Sequence, residues 1–349
     1  MLSYFASEAV TALEKQIKEY KKAGRTVFLL CDTNTQRDCL PLLRSFVSFD
    51  FVDDMLTIPA GEENKNIQTA TALWQELLDK NADKNTVLIC LGGGVVCDMG
   101  GFVGATFKRG IDYVFIPTSL MAQIDACIGG KTAVNLGGIK NQIGLFHQPE
   151  TVFTIPAFLD TLPEKEILSG FAEMLKHGLI ADKIYWGKLA TIRAISQITS
   201  SESIKKSIYI KTSICNVDMY EMGERKKLNF GHTIGHALES FALLAGRALT
   251  HGESVALGMI AEAHISFQKE LISEEKFASI TDVLHRFFPP YPIENKDYST
   301  ILSYLQKDKK KVNNNLNFTL LDDIGSAVIN QQVSQSEIKQ ALDSSFHNE

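Results

Sequence analysis

The clearest indication of the fold is the stretch Val87-Leu88-Ile89-Cys90-Leu91-Gly92-Gly93-Gly94. Its first part is uniformly apolar, which is typical of a strand covered on both faces of a parallel sheet. The glycines that follow let the backbone approach a bound phosphate closely, and the start of the next helix adds a favourable dipole. A simple tight turn between strand and helix remains an alternative, because the stretch does not match the G-x-G-x-x-G fingerprint.

Strand and helix patterns alternate on both sides of this stretch. Residues 27–31, 51–58 and 113–117 are apolar and strand-like, and residues 67–78 have helical spacing. This alternation predicts a doubly wound α/β domain, in which ligands bind at the carboxyl ends of the strands.

The second half of the chain has a different character. Beyond the prolines at 149, 156 and 163, long periodic runs predict helices and few segments resemble strands. We therefore expect an α/β domain in residues 1–158 and a mainly α-helical domain in residues 159–349. The length of 349 residues exceeds the size at which single cores stop growing, which favours two domains.

The composition indicates an ordinary globular protein. Apolar residues make up 45% of the chain, and the net charge of −6 argues against a nucleic-acid surface. The six cysteines contain no CxxC pair, and several lie in apolar runs, as expected of reduced thiols in a cytoplasmic protein. Residues 1–22 mix Glu and Lys at helical spacing, so we expect neither a signal peptide nor a membrane span.

Residues 123–144 form the densest polar segment, and we expect it to be a loop. Lys131 and Lys140 are embedded among glycines in this segment, which suggests cations brought to a bound anion. A Walker P-loop would require glycine at the position of Asp125, so the segment does not predict ATP binding.

The stretch from Asn229 to Glu239 places His232 and His236 one helical turn apart, a spacing that aims two imidazoles at one point. His251 precedes another apolar run, so it can face the first pair from the start of a second helix. The alternative is that these histidines are polar packing residues. A carboxylate brought to the same point would favour the metal site over this alternative.

Glu173 is the carboxylate candidate, three residues before Lys176 on one helix face. Such a pair is often a surface ion pair, but its apolar flanks predict partial burial here. Lys211 and Arg225 lead towards the histidine stretch, whereas the lysine-rich run at 307–311 has the pattern of a solvated surface.

A set of motifs stands out between Gly61 and Lys310. In chain order they are Gly92-Gly93-Gly94-Val95-Val96-x-Asp98, Pro117-Thr118-Ser119, Gln123-Ile124-Asp125 with Gly129-Gly130-Lys131-Thr132, Lys140-Asn141-Gln142-Ile143-Gly144, Ala172-Glu173-x-x-Lys176, Arg225-x-x-Leu228-Asn229-Phe230-Gly231-His232-x-x-Gly235-His236, and His251-Gly252-Glu253. This combination resembles the 3-dehydroquinate synthase family of sugar phosphate cyclases, and as a set it is far more specific than any single motif.

The resemblance implies an N-terminal Rossmann-like, doubly wound NAD-binding domain and a mainly α-helical C-terminal domain that binds metal and substrate. The implied enzyme is an NAD- and metal-dependent lyase that converts 3-deoxy-D-arabino-heptulosonate 7-phosphate to 3-dehydroquinate and phosphate. The family reaction proceeds through transient oxidation by NAD, phosphate elimination, reduction and intramolecular aldol closure. The implied cofactors are NAD and Zn²⁺ or Co²⁺.

The resemblance also assigns residues. The metal ligands fall on Glu173, His232 and His251, so His236 becomes a substrate-side residue instead of the second ligand that its spacing suggests. The residues implied in catalysis are Lys176, Lys211, Asn229 and His236. The residues implied in substrate binding are Arg109, Asp125, Lys131, Asn141, Arg225 and Lys309.

NAD contacts are implied for a set of residues in the first domain: Glu62, Glu63, Asn64, Lys65, Gly93, Gly94, Val95, Val96, Cys97, Asp98, Thr118, Ser119, Asp125, Lys131, Lys140, Phe158, Leu159, Asp160, Thr161 and Leu162. Two positions depart from the family pattern, since Cys97 replaces an expected glycine and Cys127 a usual serine. Cys97 is expected to place its side chain close to the pyrophosphate. The resemblance further implies a homodimer, in which Arg109 reaches the substrate phosphate of the neighbouring active site.

Alternative functions remain at this stage. Another sugar phosphate cyclase would share the cofactor and the metal, and an iron-type polyol dehydrogenase would share the plan of two domains but carry out net hydride transfer. A nucleotide-sensing or oligomeric binding module would need a catalytically silent anion pocket, which Glu173 and the two histidines argue against.

Overall fold

The computed structural model describes residues 2–47, 52–137, 139–307, 311–312 and 315–346. The chain divides into two compact units, Met1–Pro163 and Glu164–Glu349. The boundary expected at residue 158 falls inside Pro156–Thr161, a 3₁₀ segment at the end of the first unit.

The first unit is built on a six-stranded sheet in which every pairing is parallel, with the order β1-β8-β5-β4-β2-β3. Its strands are β1 (Leu2–Phe5), β2 (Val27–Asp32), β3 (Asp54–Ile58), β4 (Val87–Gly92), β5 (Asp112–Pro117) and β8 (Thr151–Thr154). The α-helices of this unit are α1 (Ser7–Lys22), α2 (Thr33–Asp38), α3 (Leu40–Phe46), α4 (Ile67–Asp79) and α5 (Gly94–Thr106).

Strand β4 shows why both faces of the sheet are covered. Leu88 and Cys90 pack in one hydrophobic cluster with residues of α4 and α5, whereas Ile89 and Leu91 pack in a second cluster with residues of α1 and α3. Successive side chains of a strand point to opposite faces, so an unbroken apolar run fills both cores. The predicted doubly wound α/β fold is confirmed.

The polar segment after β5 is only partly a loop. A π-helical turn (Ala122–Ala126) precedes an antiparallel hairpin of β6 (Lys131–Leu136) and β7 (Ile139–Phe146). The prediction of a loop is therefore wrong for residues 131–136 and 139–144. Thr132 and Val134 are buried and alternate with more exposed neighbours, which is the period of two that indicates a strand. In this mostly polar sequence the many glycines favoured the prediction of a loop.

The small residues of α5 serve helix–sheet packing. A Cβ atom on Gly100 would collide with Cys90 Sγ, and one on Gly104 would lie 2.8 Å from the ring of Tyr113. Helix α5 can therefore lie close against the sheet only because these positions lack side chains. Tight packing on the sheet therefore explains these glycines.

The second unit is mainly helical, as predicted. Its helices are α6 (Glu164–Ala181), α7 (Lys183–Ala190), α8 (Ser201–Val217), α9 (His232–Leu244), α10 (His251–Gln268), α11 (Glu274–His285), α12 (Tyr298–Lys307) and α13 (Gln335–Phe346). A small antiparallel sheet contains β9 (Lys311–Val312), β10 (Asn315–Asp323) and β11 (Ser326–Val333). Helix α10 lies at the centre and contacts α6, α9, α11 and α13.

Within the described part of the chain, no helix combines the length and apolar character needed to cross a membrane.

Candidate metal centre and nucleotide cradle

Helices α9 and α10 approach each other through glycines. A Cβ atom on Gly258 would overlap the carbonyl oxygen of Gly231, and one on Gly235 would lie 2.8 Å from the carbonyl oxygen of Ser254. Because α9 begins at His232 and α10 begins at His251, this close packing brings the two helix starts together. The ring centroids of these two histidines are 5.4 Å apart.

His236 completes a cluster of imidazoles. Its ring centroid lies 5.2 Å from that of His232 and 5.8 Å from that of His251. One nitrogen of each ring lies within 4.8 Å of the others. The expectation that the third histidine faces the pair is confirmed, and the alternative of isolated packing residues does not describe this arrangement.

Glu173 brings a carboxylate to two of these imidazoles. It lies on α6 and is 1% exposed. Its Oε1 atom is 3.6 Å from Nε2 of His232 and 3.7 Å from Nε2 of His251. Both distances exceed those of hydrogen bonds. They approach the separation of about 3.3–3.4 Å between two ligands that each lie about 2.0–2.1 Å from a tetrahedral ion.

The buried carboxylate of Glu173 therefore has the geometry of a metal ligand. Among the described residues, neither of its oxygens has a hydrogen-bond partner, although Oε2 forms an ion pair with Nζ of Lys176. Within the described ranges, Oε1 is therefore a buried carboxylate oxygen without a hydrogen bond or a lysine partner, which is costly, and a divalent cation would satisfy it. Lys176 is also 1% exposed, so the surface alternative for this pair is wrong and its burial exceeds the partial burial predicted.

Glu262 connects the two histidine-bearing helices. It is fully buried on α10, and its carboxylate accepts hydrogen bonds from the backbone N–H groups of Gly231 (2.7 Å) and Ile234 (3.1 Å). These groups belong to the first turn of α9, where the N-cap glycine offers no side-chain acceptor. Glu262 was not among the residues predicted from the sequence, although a carboxylate inside the apolar run of α10 was a usable signal.

The segment before α9 places two further predicted residues. Arg225 is 2% exposed, and its Nη1 atom donates to the carbonyl oxygen of Met219 at 2.5 Å. Asn229 donates through Nδ2 to Oε1 of Glu221 at 2.5 Å. Glu221 itself has a φ of 60°, a left-handed conformation that is strained for a residue with a side chain.

Asp218 organises this segment. Its carboxylate accepts hydrogen bonds from the backbone N–H groups of Met222, Gly223 and Arg225 at 3.0, 2.7 and 3.1 Å. The bond from Gly223, followed by the others, holds the pKa of Asp218 below its ordinary value of 3.8. Asp218 was not among the residues predicted from the sequence, because an acidic residue in an irregular segment has no periodic signal. Glu221 stands among the residues that lead into the Asn229 stretch, but its contact with Asn229 was not predicted. Lys211 is 7% exposed on α8.

In the first unit, the three glycines from the last residue of β4 to the first residue of α5 form a cradle at the start of this helix. The N-cap residue Gly93 provides no side-chain hydrogen bond to the first turn. A Cβ atom on Gly93 would meet Ser119 Oγ at 3.3 Å, whereas one on Gly94 would meet Ala126 at 3.7 Å. The N-terminal N–H groups of α5 and the lack of side chains suit an anion such as a pyrophosphate.

Lys65 anchors a polar network beside this cradle. It is 4% exposed, and its Nζ atom lies 2.5 Å from Oδ2 of Asp98 and 2.6 Å from Oδ1 of Asn141. Burial raises the pKa of Asp98 above its ordinary value, and Lys65 partly opposes this shift. The backbone N–H of Asn141 donates to Oδ1 of Asn135. The Nδ2 atom of Asn135 donates in turn to Oε1 of Glu62.

The expectation for Cys97 is wrong. Its side chain is 1% exposed, belongs to the hydrophobic cluster beneath α5, and donates from Sγ to the carbonyl oxygen of Gly92 at 3.5 Å. Cys127 is buried in the same cluster. The side chain at position 97 therefore fills the core instead of projecting towards a bound pyrophosphate.

The other predicted cofactor and substrate residues occupy varied positions. Glu62 to Asn64 form a 3₁₀ turn, and Phe158 and Leu159 are buried. Arg109 and Lys140 are exposed, and Lys131 Nζ lies 6.0 Å from the ring centroid of Phe146. Lys309 lies outside the described residues.

Comparisons with known proteins cover most of the chain. Residues 55–169 match the family model described as 3-dehydroquinate synthase N-terminal, and residues 170–311 match that described as 3-dehydroquinate synthase C-terminal. The chain is 40% identical over 319 residues to 3-dehydroquinate synthase from Parabacteroides distasonis. The aligned region covers 91% of this chain and 90% of that protein.

Two solved structures share the fold. One is 2-deoxy-scyllo-inosose synthase complexed with carbaglucose-6-phosphate, NAD⁺ and Co²⁺, with a TM-score of 0.83, 24% identity, and coverage of 98% of this chain and 96% of that chain. The other is 2-epi-5-epi-valiolone synthase from Streptomyces hygroscopicus with NAD⁺ and Zn²⁺, with a TM-score of 0.82, 25% identity, and coverage of 92% and 90%. From the two family models and the identity over most of its length, the chain belongs to the 3-dehydroquinate synthase family.

Proposed function

We propose that this chain is a 3-dehydroquinate synthase that converts 3-deoxy-D-arabino-heptulosonate 7-phosphate to 3-dehydroquinate and phosphate. The observation that carries the proposal is the approach of Glu173 Oε1 to Nε2 of His232 and His251 at 3.6 and 3.7 Å. A polar cluster of this kind, in a chain of this family, supports metal-assisted chemistry.

Glu173, His232 and His251 are the proposed ligands of Zn²⁺ or Co²⁺. A carboxylate and two imidazoles suit either ion, and they leave a coordination position for substrate. When bound, the ion supplies Lewis acidity towards a substrate oxygen. The structural neighbours that contain NAD⁺ with Co²⁺ or Zn²⁺ support this choice of cofactors.

The NAD site is proposed at the glycine cradle of the first unit. The N–H groups at the start of α5 would bind the pyrophosphate, and Lys65 with Asp98 would contribute polar contacts beside it. When bound, NAD supplies reversible hydride acceptance. The buried position of Cys97 leaves the cradle open for this role.

The basic residues of the second unit would bind the anionic groups of the substrate. Lys176, Lys211 and Arg225 are each less than 10% exposed, so their charges are poorly screened by solvent. Carboxylate and phosphate groups are the anions that such residues neutralise and hold in register.

Asn229 and His236 would orient substrate hydroxyls and move protons. Asn229 is held in place by Glu221, so its amide has a defined direction. On the first unit, Asp125, Lys131 and Asn141 are proposed to bind substrate by analogy with the family.

We further propose a cytoplasmic homodimer in which Arg109 reaches the neighbouring active site. Arg109 is exposed and follows Lys108 in a turn where both have positive φ. An exposed cation just after the end of α5 suits a contact with a second copy. The six buried free cysteines suit a reducing compartment.

The test is incubation of the purified chain with the heptulosonate phosphate, NAD⁺ and Zn²⁺, with phosphate and 3-dehydroquinate measured together. Equal yields of the two products without accumulation of NADH are expected. Steady formation of NADH would identify a dehydrogenase instead. Phosphate release only from a different sugar phosphate would identify another cyclase.

A further inference from the structure

We propose that Glu239 is a positioning residue for the metal centre, because it holds the imidazole of His251 through Nδ1 and so presents Nε2 to the ion. This inference rests on the proposed metal site, since Glu239 would act only through a ligand. Nothing in the family resemblance assigned a role to this residue.

The geometry places Glu239 on the ligand-bearing face of α9. His232, His236 and Glu239 occupy positions i, i+4 and i+7, which lie on one side of a helix. Oε2 of Glu239 lies 3.4 Å from Nδ1 of His251, and the Glu239 side chain is 12% exposed. The second nitrogen of the same imidazole, Nε2, faces Oε1 of Glu173.

This arrangement selects one tautomer of His251. A neutral imidazole carries one proton, and a carboxylate acceptor beside Nδ1 favours the form in which Nδ1 carries it. The lone pair of Nε2 is then available to a metal ion. Ligand histidines commonly donate their second N–H to a carboxylate or a backbone carbonyl, which fixes the ring and raises the basicity of the ligand.

The two proposed histidine ligands differ in this outer contact. Nδ1 of His232 lies 3.3 Å from the backbone carbonyl oxygen of Phe230, a neutral acceptor. Nδ1 of His251 instead faces a carboxylate. His251 is therefore the ligand whose donor strength depends on a replaceable side chain.

Glu253 provides a matched control for the charge alone. It lies two residues after His251, but its Oε2 accepts hydrogen bonds from the backbone N–H and Oγ1 of Thr250 at 2.6 and 2.8 Å. Glu253→Gln removes one negative charge close to His251 without removing the acceptor at Nδ1. Glu239→Gln removes the charge but keeps an amide oxygen, and Glu239→Ala removes both.

The experiment titrates Co²⁺ into the full-length chain after its metal has been removed by a chelator. Affinity is obtained by competition with the chelator, the visible Co²⁺ spectrum reports ligand geometry, and circular dichroism checks the fold of each apo form. Glu239→Ala is expected to lower the affinity about 10- to 100-fold and to change the spectrum, with Glu239→Gln intermediate. Glu253→Gln is expected to keep the wild-type spectrum and an affinity close to that of the wild type.

Each outcome decides the question. Unchanged affinity and spectrum in both Glu239 variants would overturn the proposal, and so would equal losses in Glu239→Ala and Glu253→Gln, since charge alone would then explain them. If Glu239→Ala does not fold, the spectrum of Glu239→Gln decides. A wild-type chain that binds no Co²⁺ would instead refute the metal site itself.

Discussion

Replacing Gly258 by alanine tests whether the close approach of α9 and α10 sets the metal centre. A Cβ atom at this position would overlap the carbonyl oxygen of Gly231 and lie 2.7 Å from the backbone nitrogen of Gly235. Ordinary contacts of a Cβ atom begin at 3.4 Å, so the second contact must lengthen by about 0.7 Å. The obstacles are backbone atoms, which cannot rotate away, and the helices must move apart.

The expected magnitude follows from two opposing effects. Overpacking costs about 3 kcal/mol when the neighbours cannot yield, and alanine regains about 1 kcal/mol of helix propensity, which leaves a net loss of about 2 kcal/mol. For a unit of this size the midpoint of thermal unfolding should fall by about 4–8 °C. Because His232 directly follows Gly231, the shift should also exceed the tolerance of about 0.2 Å for metal ligands.

Gly187→Ala is the matched control, since Gly187 also lies inside a helix of the second unit. A Cβ atom there would meet nothing within 4 Å. This variant should gain about 0.5–1 kcal/mol and keep its metal affinity. Differential scanning calorimetry and Co²⁺ competition measure both quantities. A Gly258→Ala variant with wild-type stability and Co²⁺ affinity would refute the reasoning.

Three further predictions concern both units. His251→Ala should abolish bound metal and turnover while circular dichroism remains that of the wild type, and an active, metal-free variant would overturn the ligand assignment. Lys65→Met should leave the Asp98 carboxylate unpaired and cost about 3–5 kcal/mol at pH 7. Burial already raises the pKa of Asp98, and removal of Lys65 should raise it further. The loss in the free energy of unfolding should therefore shrink as the pH is lowered towards 4. A loss that chemical denaturation shows to be independent of pH would contradict this prediction. Asp218→Asn should raise KM for the heptulosonate phosphate by displacing Arg225. Because the pKa of Asp218 is below 3.8, its carboxylate should stay ionised at neutral pH and keep accepting its backbone hydrogen bonds. The stability that these bonds contribute should be lost only as the pH falls below about 4, and unfolding measured as a function of pH would detect this loss.

Local patterns were sufficient for the fold class of the first unit and for β2 to β5 of its sheet, but not for β1 and β8. The unbroken apolar run that becomes β4, together with the helical spacing that becomes α4, implies a strand buried on both faces between helices, and short-range periodicity carries that information. The hairpin of β6 and β7 escaped the same logic, since its alternation is weak and its glycines resemble those of a loop. The position of the Cys97 side chain was predicted wrongly because the same motif allows a side chain to face either the glycine cradle or the hydrophobic core. Only the packing of α5 decides between the two.

By itself, the sequence determined which residue types were available to the candidate metal centre, through the spacing of His232 and His236 and the flanks of Glu173. Only the tertiary structure decided that Glu173 Oε1 lies at ligand spacing from two imidazoles, that Glu262 caps the helix beginning at His232, and that Glu239 faces His251. The reason is that these contacts join residues on different helices. Packing at Gly231 and Gly258 sets the approach of α9 and α10, and packing at Ser169 and Gly252 sets that of α6 and α10. Periodicity within one helix contains no information about that distance.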